Sequence, residues 1–215
     1  MIPDLLAPDR AMPFLIAALL GGYIVGASPF GLWLTKIAGL GDIRKIGSGG
    51  IGATNVLRTG RRWIALATLI LDVLKGFVPA YIGYNYFGPL VGAAAGLGAL
   101  CGHCYSFYLN FYGGKGVATG VGVLLALLWQ AAVIAAAVWL AVALISRRSS
   151  VGSLSATLAG VASLPYCEAW DVLPAALVMA AIIFGRHQAN IGRLLRGEEP
   201  KISLKRPNAS RGSDP

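Results

Sequence analysis

Residues 12–37 form an apolar run, interrupted by Pro29 and small residues, long enough to cross the hydrocarbon of a bilayer as a helix, for which about 20 residues suffice. Runs of the same kind recur at 63–84, 90–111, 117–145, 151–164 and 170–185. Hydrophobic residues make up 56% of the 215-residue chain and charged ones 13%, the latter gathered into short segments between the runs. Soluble domains carry roughly a quarter charged residues, spread more evenly. The chain therefore reads as an all-α, polytopic membrane protein.

Charge sets the expected orientation. The segment 36–62 holds Lys36, Arg44, Lys45, Arg58, Arg61 and Arg62, and such a positive excess is retained in the cytoplasm. The N-terminus is then outside. A return span at 63–84, an uncharged turn at 85–89 and a third span at 90–111 lead to a second cytoplasmic loop around Lys115. The run 117–145 is longer than one span needs. As a single helix it would strand Arg147, Arg148 and the basic tail outside, whereas two short helices hinged near Trp129 and Gln130 keep both segments inside. The expectation is about seven membrane helices, some short, with the C-terminus cytoplasmic. Residues 1–200 form one membrane domain, and 201–215 a polar, flexible cytoplasmic tail.

The formal net charge of +9 flanks hydrophobic spans, which accounts for it without nucleic acid. Asp4 and Asp9 precede the first run and no basic leader is present, unlike a cleaved signal peptide. Cys101, Cys104 and Cys167 cannot all pair, so no disulfide is expected. Cys101 and Cys104 read as two small residues one helical turn apart. With two histidines far apart and few carboxylates, no metal site or cofactor is expected.

Three polar segments carry the chemistry. The first runs Gly47-Ser48-Gly49-Gly50-Ile51-Gly52-Ala53-Thr54-Asn55-Val56-Leu57-Arg58. Its glycines let backbone amides approach a ligand, and Ser48, Thr54, Asn55 and Arg58 are donors suited to phosphate oxygens. The formal GxGxxG at Gly47, Gly49 and Gly52 lacks the strand a dinucleotide fold requires. The second is Gly113-Gly114-Lys115-Gly116 at a helix start, where amides, helix N-terminus and lysine attract an anion. Leu109 and Gly116 stand where a Walker A loop needs Gly and Ser or Thr, which argues against nucleotide hydrolysis. The third is Arg186-His187-Gln188-Ala189-Asn190-Ile191-Gly192-Arg193, in which His187 and Asn190 share a helix face and point at one ligand. His103, within an apolar span, reads as bonded to a neighbouring helix. Asp72 and Lys75, one turn apart, either pair or reach the site.

GSGGIGATNVLR, GGKGVAT and HQANI, in that order on predicted cytoplasmic loops, resemble the PlsY family of bacterial membrane acyltransferases over almost the whole chain. The family's first loop usually has Asn where Gly50 stands here. The resemblance implies seven membrane helices in the inner membrane. It also implies transfer of an acyl group from acyl phosphate to the 1-hydroxyl of glycerol 3-phosphate, giving lysophosphatidate and phosphate, the first acylation step of phospholipid synthesis. The matching positions are Lys115, His187, Asn190 and Ser48 as catalytic residues, with Gly49, Thr54, Asn55, Arg58, Gly113, Gly114 and Gly116 binding substrate. Which loop takes which phosphate is open, and the proton goes to His187 or, by the preferred route, to the departing phosphate. The partners are the two substrates and membrane lipids. A transporter of phosphorylated solutes is the rival reading, predicting midplane charges and an internal repeat. A covalent route through Ser48 lacks a base in its own loop.

Overall fold

The computed structural model describes residues 8–202. They form ten α-helices in the order α1 (Pro8–Gly26), α2 (Phe30–Ile37), α3 (Ala53–Leu57), α4 (Arg62–Phe87), α5 (Pro89–Cys104), α6 (Val117–Leu127), α7 (Trp129–Ser146), α8 (Ser149–Ser163), α9 (Leu173–Arg186) and α10 (Gln188–Leu195), with no strand among the described residues. Helices α1 and α4 to α9 are the long ones, from 11 residues in α6 to 26 in α4. Four stretches are long and apolar enough to cross a membrane: Met12–Ile37, Arg62–Phe87, Pro89–Leu109 and Trp129–Ser146. Of the expected tail at 201–215, residues 203–215 lie outside the described residues, as do residues 1–7 with Asp4.

Helix α5 is the centre of the bundle, packed against α1, α4, α6 and α9. Its contact with α1 is reciprocal. A side chain added at Gly22 or Gly26 of α1 would strike the backbone of Ala95 or Ala99 of α5, and one at Gly98 or Gly102 of α5 would strike Leu19 or Tyr23 of α1. Small residues four apart on both helices let the backbones touch, the packing mode available where lipid removes the hydrophobic driving force between helices. The same device joins α4 to α6, where Gly76 meets Thr119 and Gly122 meets Val73. Because Thr119 lies in the first turn of α6, this contact fixes the helix start that follows Lys115. The outer helices turn apolar faces outward: Leu144 of α7 is 69% exposed and Ile24 of α1 is 60% exposed, as a lipid-facing surface requires.

The run 117–145 divides as expected, with the break at Leu128, whose extended backbone (φ −157, ψ 91) separates α6 from α7. Two expected spans are more broken than their composition suggests. Residues 12–37 form α1 and α2 with a gap at 27–29, and the third run leaves the helix at Cys104 before a 3₁₀ turn at Phe107–Leu109. Carbonyls freed in an apolar interior must find donors. The Ser106 hydroxyl donates to Ala27 O and Lys75 Nζ donates to Ser28 O at 2.8 Å. Tyr23, one turn before the gap, donates its hydroxyl to Tyr105 O at 2.7 Å. Pro29 breaks α1 because these neighbours satisfy the ends.

The loops at 38–61, 105–116 and 147–148, together with α10 and the chain after it, are joined by contacts of Thr54 with Ser149, Arg186 with Gly114, Ser150 with Glu199 and Ile202 with Arg147. They therefore gather at one end of the fold.

Candidate active site

The first segment folds around Asn55. Its carboxamide nitrogen donates to the carbonyls of Ile43, Ile46 and Gly50 at 3.0, 2.9 and 2.7 Å, and its oxygen accepts the Ser48 amide at 3.1 Å. One buried side chain thus replaces the regular hydrogen bonding that a glycine-rich turn lacks. The expectation that Asn55 reaches a phosphate gives way to a different observation: it is fully engaged in shaping the loop. Gly47 takes φ +57, and a side chain there would collide with Asn55 and with the Arg58 stem, so glycine is required where those two residues close over the turn. Ser48 and Gly49 are exposed at the tip. Thr54 Oγ1 lies 3.3 Å from Ser149 Oγ, tying this segment to the start of α8.

The second segment is built from α5 and α9. The Gly113 and Gly114 amides donate to Cys104 O and His103 O at 3.1 and 3.0 Å, so they are not turned toward a ligand as the glycine pattern suggests. Their carbonyls accept from Arg186, Nη2 to Gly113 O at 2.8 Å and Nε to Gly114 O at 3.1 Å. Gly116 adopts φ +84 as the residue before α6, a left-handed conformation that favours glycine. Among the described residues no backbone carbonyl takes the Lys115 or Gly116 amide, and both residues stand immediately before α6.

Lys115 itself is half-buried. Its pKa is drawn down to about 8, by burial first; Glu199 opposes the shift, and Arg193, Arg58 and Arg186 add to it. Those neighbours come from all three segments, which the Thr54–Ser149, Ser150–Glu199 and Arg186–Gly114 contacts tie together.

In the third segment α9 ends at Arg186 and α10 restarts at Gln188, with His187 in the joint. His187 is 1% exposed. Its Nδ1 lies 2.8 Å from Ile183 O; a carbonyl only accepts, so Nδ1 carries the hydrogen and Nε2 the lone pair. Burial is the largest cause of a pKa lowered to about 4, and the ring is neutral at physiological pH. Asn190 Nδ2 donates to Glu199 Oε1 at 2.6 Å, Ser150 Oγ donates to the same oxygen at 2.7 Å, and Arg193 Nε donates to Oε2 at 2.7 Å. Burial would raise the Glu199 pKa, but these donors outweigh it and the group is held below the usual carboxylate range. The backbone follows: Arg148 donates to Glu199 O at 3.3 Å and the Ile202 amide to Arg147 O at 2.7 Å.

Sequence reasoning passed over Glu199, Ser150 and the structural use of Arg186. Two adjacent carboxylates, Glu198 and Glu199, closing a basic stretch were the available signal for Glu199. Asp72 and Lys75 do pair, Nζ to Oδ1 at 2.8 Å, inside the bundle.

A bundle of apolar helices with basic and polar loop side chains gathered at one end defines an integral membrane protein with a polar site there. The family model described as glycerol-3-phosphate acyltransferase matches residues 16–197. The chain is 51% identical to a glycerol-3-phosphate acyltransferase of Mesorhizobium japonicum over 89% of its own length and 97% of the relative's. It is also 51% identical to one of Erythrobacter litoralis, over 88% and 95%. Its fold is similar to the crystal structure of PlsY, an integral membrane glycerol 3-phosphate acyltransferase, in the glycerol 3-phosphate form, with TM-score 0.84 and 37% identity over 88% of this chain and 96% of that one. The lysophosphatidic acid form of PlsY matches with TM-score 0.81 and 36% identity, with the same coverage. The chain belongs to the glycerol-3-phosphate acyltransferase family and is a membrane acyltransferase.

Proposed function

We propose that this protein transfers the acyl group of an acyl phosphate to the 1-hydroxyl of glycerol 3-phosphate, giving lysophosphatidate and inorganic phosphate at the cytoplasmic face of a bacterial inner membrane. The observation that carries the reading is that Arg186 grips the loop of Lys115 while Thr54 meets Ser149 next to the Ser150–Glu199–Arg193 contact, so that Arg58, Lys115 and Arg193 belong to one linked end of the fold: such an excess of cations suits two phosphorylated reactants held side by side. Bringing two anions together is the main obstacle to this reaction, and fixed cations remove it while aligning hydroxyl and carbonyl.

Lys115, the Lys115 and Gly116 amides and the start of α6 hold one phosphate; Arg58, Ser48 and Thr54 hold the other. Gly49 gives the first loop its close approach, and Asn55, Gly113 and Gly114 shape the two loops. His187 Nε2 accepts a hydrogen bond from the attacking hydroxyl, and Asn190, set by Glu199, orients glycerol 3-phosphate. The hydroxyl oxygen bonds to the acyl carbon, the bond from that carbon to the phosphate oxygen breaks, and its electron pair leaves on phosphate. The proton ends on the departing phosphate, which leaves with the electron pair of the broken bond and is there a far stronger base than a buried imidazole at about 4. No covalent intermediate is needed. The acyl chain lies in the apolar cleft between α6, α8 and α9, which is lined by Val117, Gly120, Leu124, Ala156 and Met179.

The test is to supply purified protein and glycerol 3-phosphate with acyl phosphate, acyl-CoA or acyl carrier protein. Lysophosphatidate from acyl phosphate is expected. Product from acyl-CoA alone overturns the donor assignment.

A further inference from the structure

The bundle buries a charged cluster that the reaction itself does not use. Asp72 is 2% exposed, Lys75 2% and His103 4%. Charged and ionisable groups inside a membrane protein are costly and persist where they serve a purpose. Lys75 Nζ bridges Asp72 Oδ1 and Ser28 O, each at 2.8 Å, so its charge is satisfied. His103 is not: its Nδ1 lies 3.7 Å from Asp72 Oδ1, too far for a hydrogen bond, and has no other partner. The opposite nitrogen of the ring, Nε2, is pressed against Gly114, where any side chain would collide with the imidazole.

The cluster therefore ends on the loop that carries Lys115. From below, the His103 ring supports Gly114 while the His103 and Cys104 carbonyls take the Gly114 and Gly113 amides. From the other side Arg186 grips the two glycine carbonyls with a two-pronged fork, a geometry lysine cannot reproduce. Arg186 also stacks on Tyr105, with Cζ 5.4 Å from the ring centroid. Every backbone polar group of Gly113 and Gly114 is thereby fixed by a residue outside the loop.

We infer that His103 and Arg186 are positioning residues for Lys115, a buried brace that sets the Gly113-Gly114 backbone and with it the direction of the lysine. Asp72, anchored by Lys75 to the gap between α1 and α2, stands 3.7 Å from the imidazole without bonding it; the imidazole and the guanidinium clamp the loop between α5 and α9. The inference rests on the reading of Lys115 as a phosphate ligand.

The experiment compares Arg186→Lys and His103→Gln with wild type and Lys115→Ala, using acyl phosphate and glycerol 3-phosphate. It adds a second readout: the rate at which an amine reagent modifies Lys115, followed by mass spectrometry across pH, with and without glycerol 3-phosphate or inorganic phosphate. The brace predicts that both variants lose about tenfold or more in kcat/KM, mainly through KM for one substrate. It further predicts a shifted pH midpoint of Lys115 modification and a thermal midpoint in detergent within a few degrees of wild type. Wild-type kinetics and modification in Arg186→Lys and His103→Gln, beside an inactive Lys115→Ala, overturn the brace and leave the phosphate role of Lys115 intact. Turnover by Lys115→Ala, with no protection of Lys115 by either anion, overturns the underlying reading instead. Should His103→Gln not accumulate folded, Arg186→Lys, on the loop side of the brace, decides the matter alone.

Discussion

Asn190 Nδ2 donates a 2.6 Å hydrogen bond to Glu199 Oε1, so a side chain expected to meet substrate is held in place by a carboxylate nine positions further along. Glu199 collects Ser150 and Arg193 as well, joining α8, α10 and the chain beyond α10 in one buried contact. Glu199→Ala leaves several buried donors unpaired, at about 1–3 kcal/mol for each group stranded without water. The thermal midpoint in detergent is expected to fall by several degrees. Glu199→Gln, which keeps an acceptor but loses the charge facing Arg193, falls between. A Glu199→Ala protein as stable as wild type would show that the cluster does not hold this segment.

Lys115 supplies a second prediction, with its sign fixed by the direction of the shift. Its folded pKa is lowered from 10.5 to about 8, so the cation is complete below about pH 8 and is lost as pH rises through that value in the unliganded protein. Affinity for the phosphorylated substrate, read as kcat/KM, is expected to decline across that window. A bound anion favours the charged lysine and moves the decline in kcat to higher pH. Lys115→Arg should abolish the decline, and Lys115→Ala should abolish transfer while the protein remains folded. Between about pH 8 and 10.5 the unfolded chain binds the proton and the folded one does not. The unliganded protein therefore gains stability from this group as pH rises there.

Asn55→Ala removes the partner of three carbonyls and of the Ser48 amide. The first loop then lacks the one side chain that ties Ile43, Ile46, Ser48 and Gly50 together. A loss of tenfold or more in kcat/KM is expected, with faster proteolysis between Ile43 and Arg58. Unchanged kinetics would mean that the loop's shape does not matter to the site.

The all-helical architecture and the division of 117–145 were legible because apolar length and charge placement act locally. The gap at Ala27–Pro29 was not, since Pro29 alone permits either a kink or a break. The outcome depends on Lys75 and Ser106, which lie far along the chain but supply donors there. Asn55 shows the same limit at the site. In a glycine-rich sequence a carboxamide suits a phosphate and a turn equally well, and only the surrounding carbonyls decide. Arg186 and Glu199 looked like ordinary members of a basic, polar segment because their roles are made by Gly113, Gly114, Ser150 and Asn190, none of them adjacent in sequence.

The central claim is that three separated segments form one site at one face of the membrane. Single cysteines at Ser48, Tyr112 and Gln188, all exposed, in a protein with Cys101, Cys104 and Cys167 replaced by alanine, test it through labelling with a membrane-impermeant maleimide. All three are expected to react in inverted inner-membrane vesicles, to be shielded in intact spheroplasts, and to be slowed by the two substrates added together. Labelling of the Tyr112 and Gln188 positions from opposite sides of the bilayer would contradict the account.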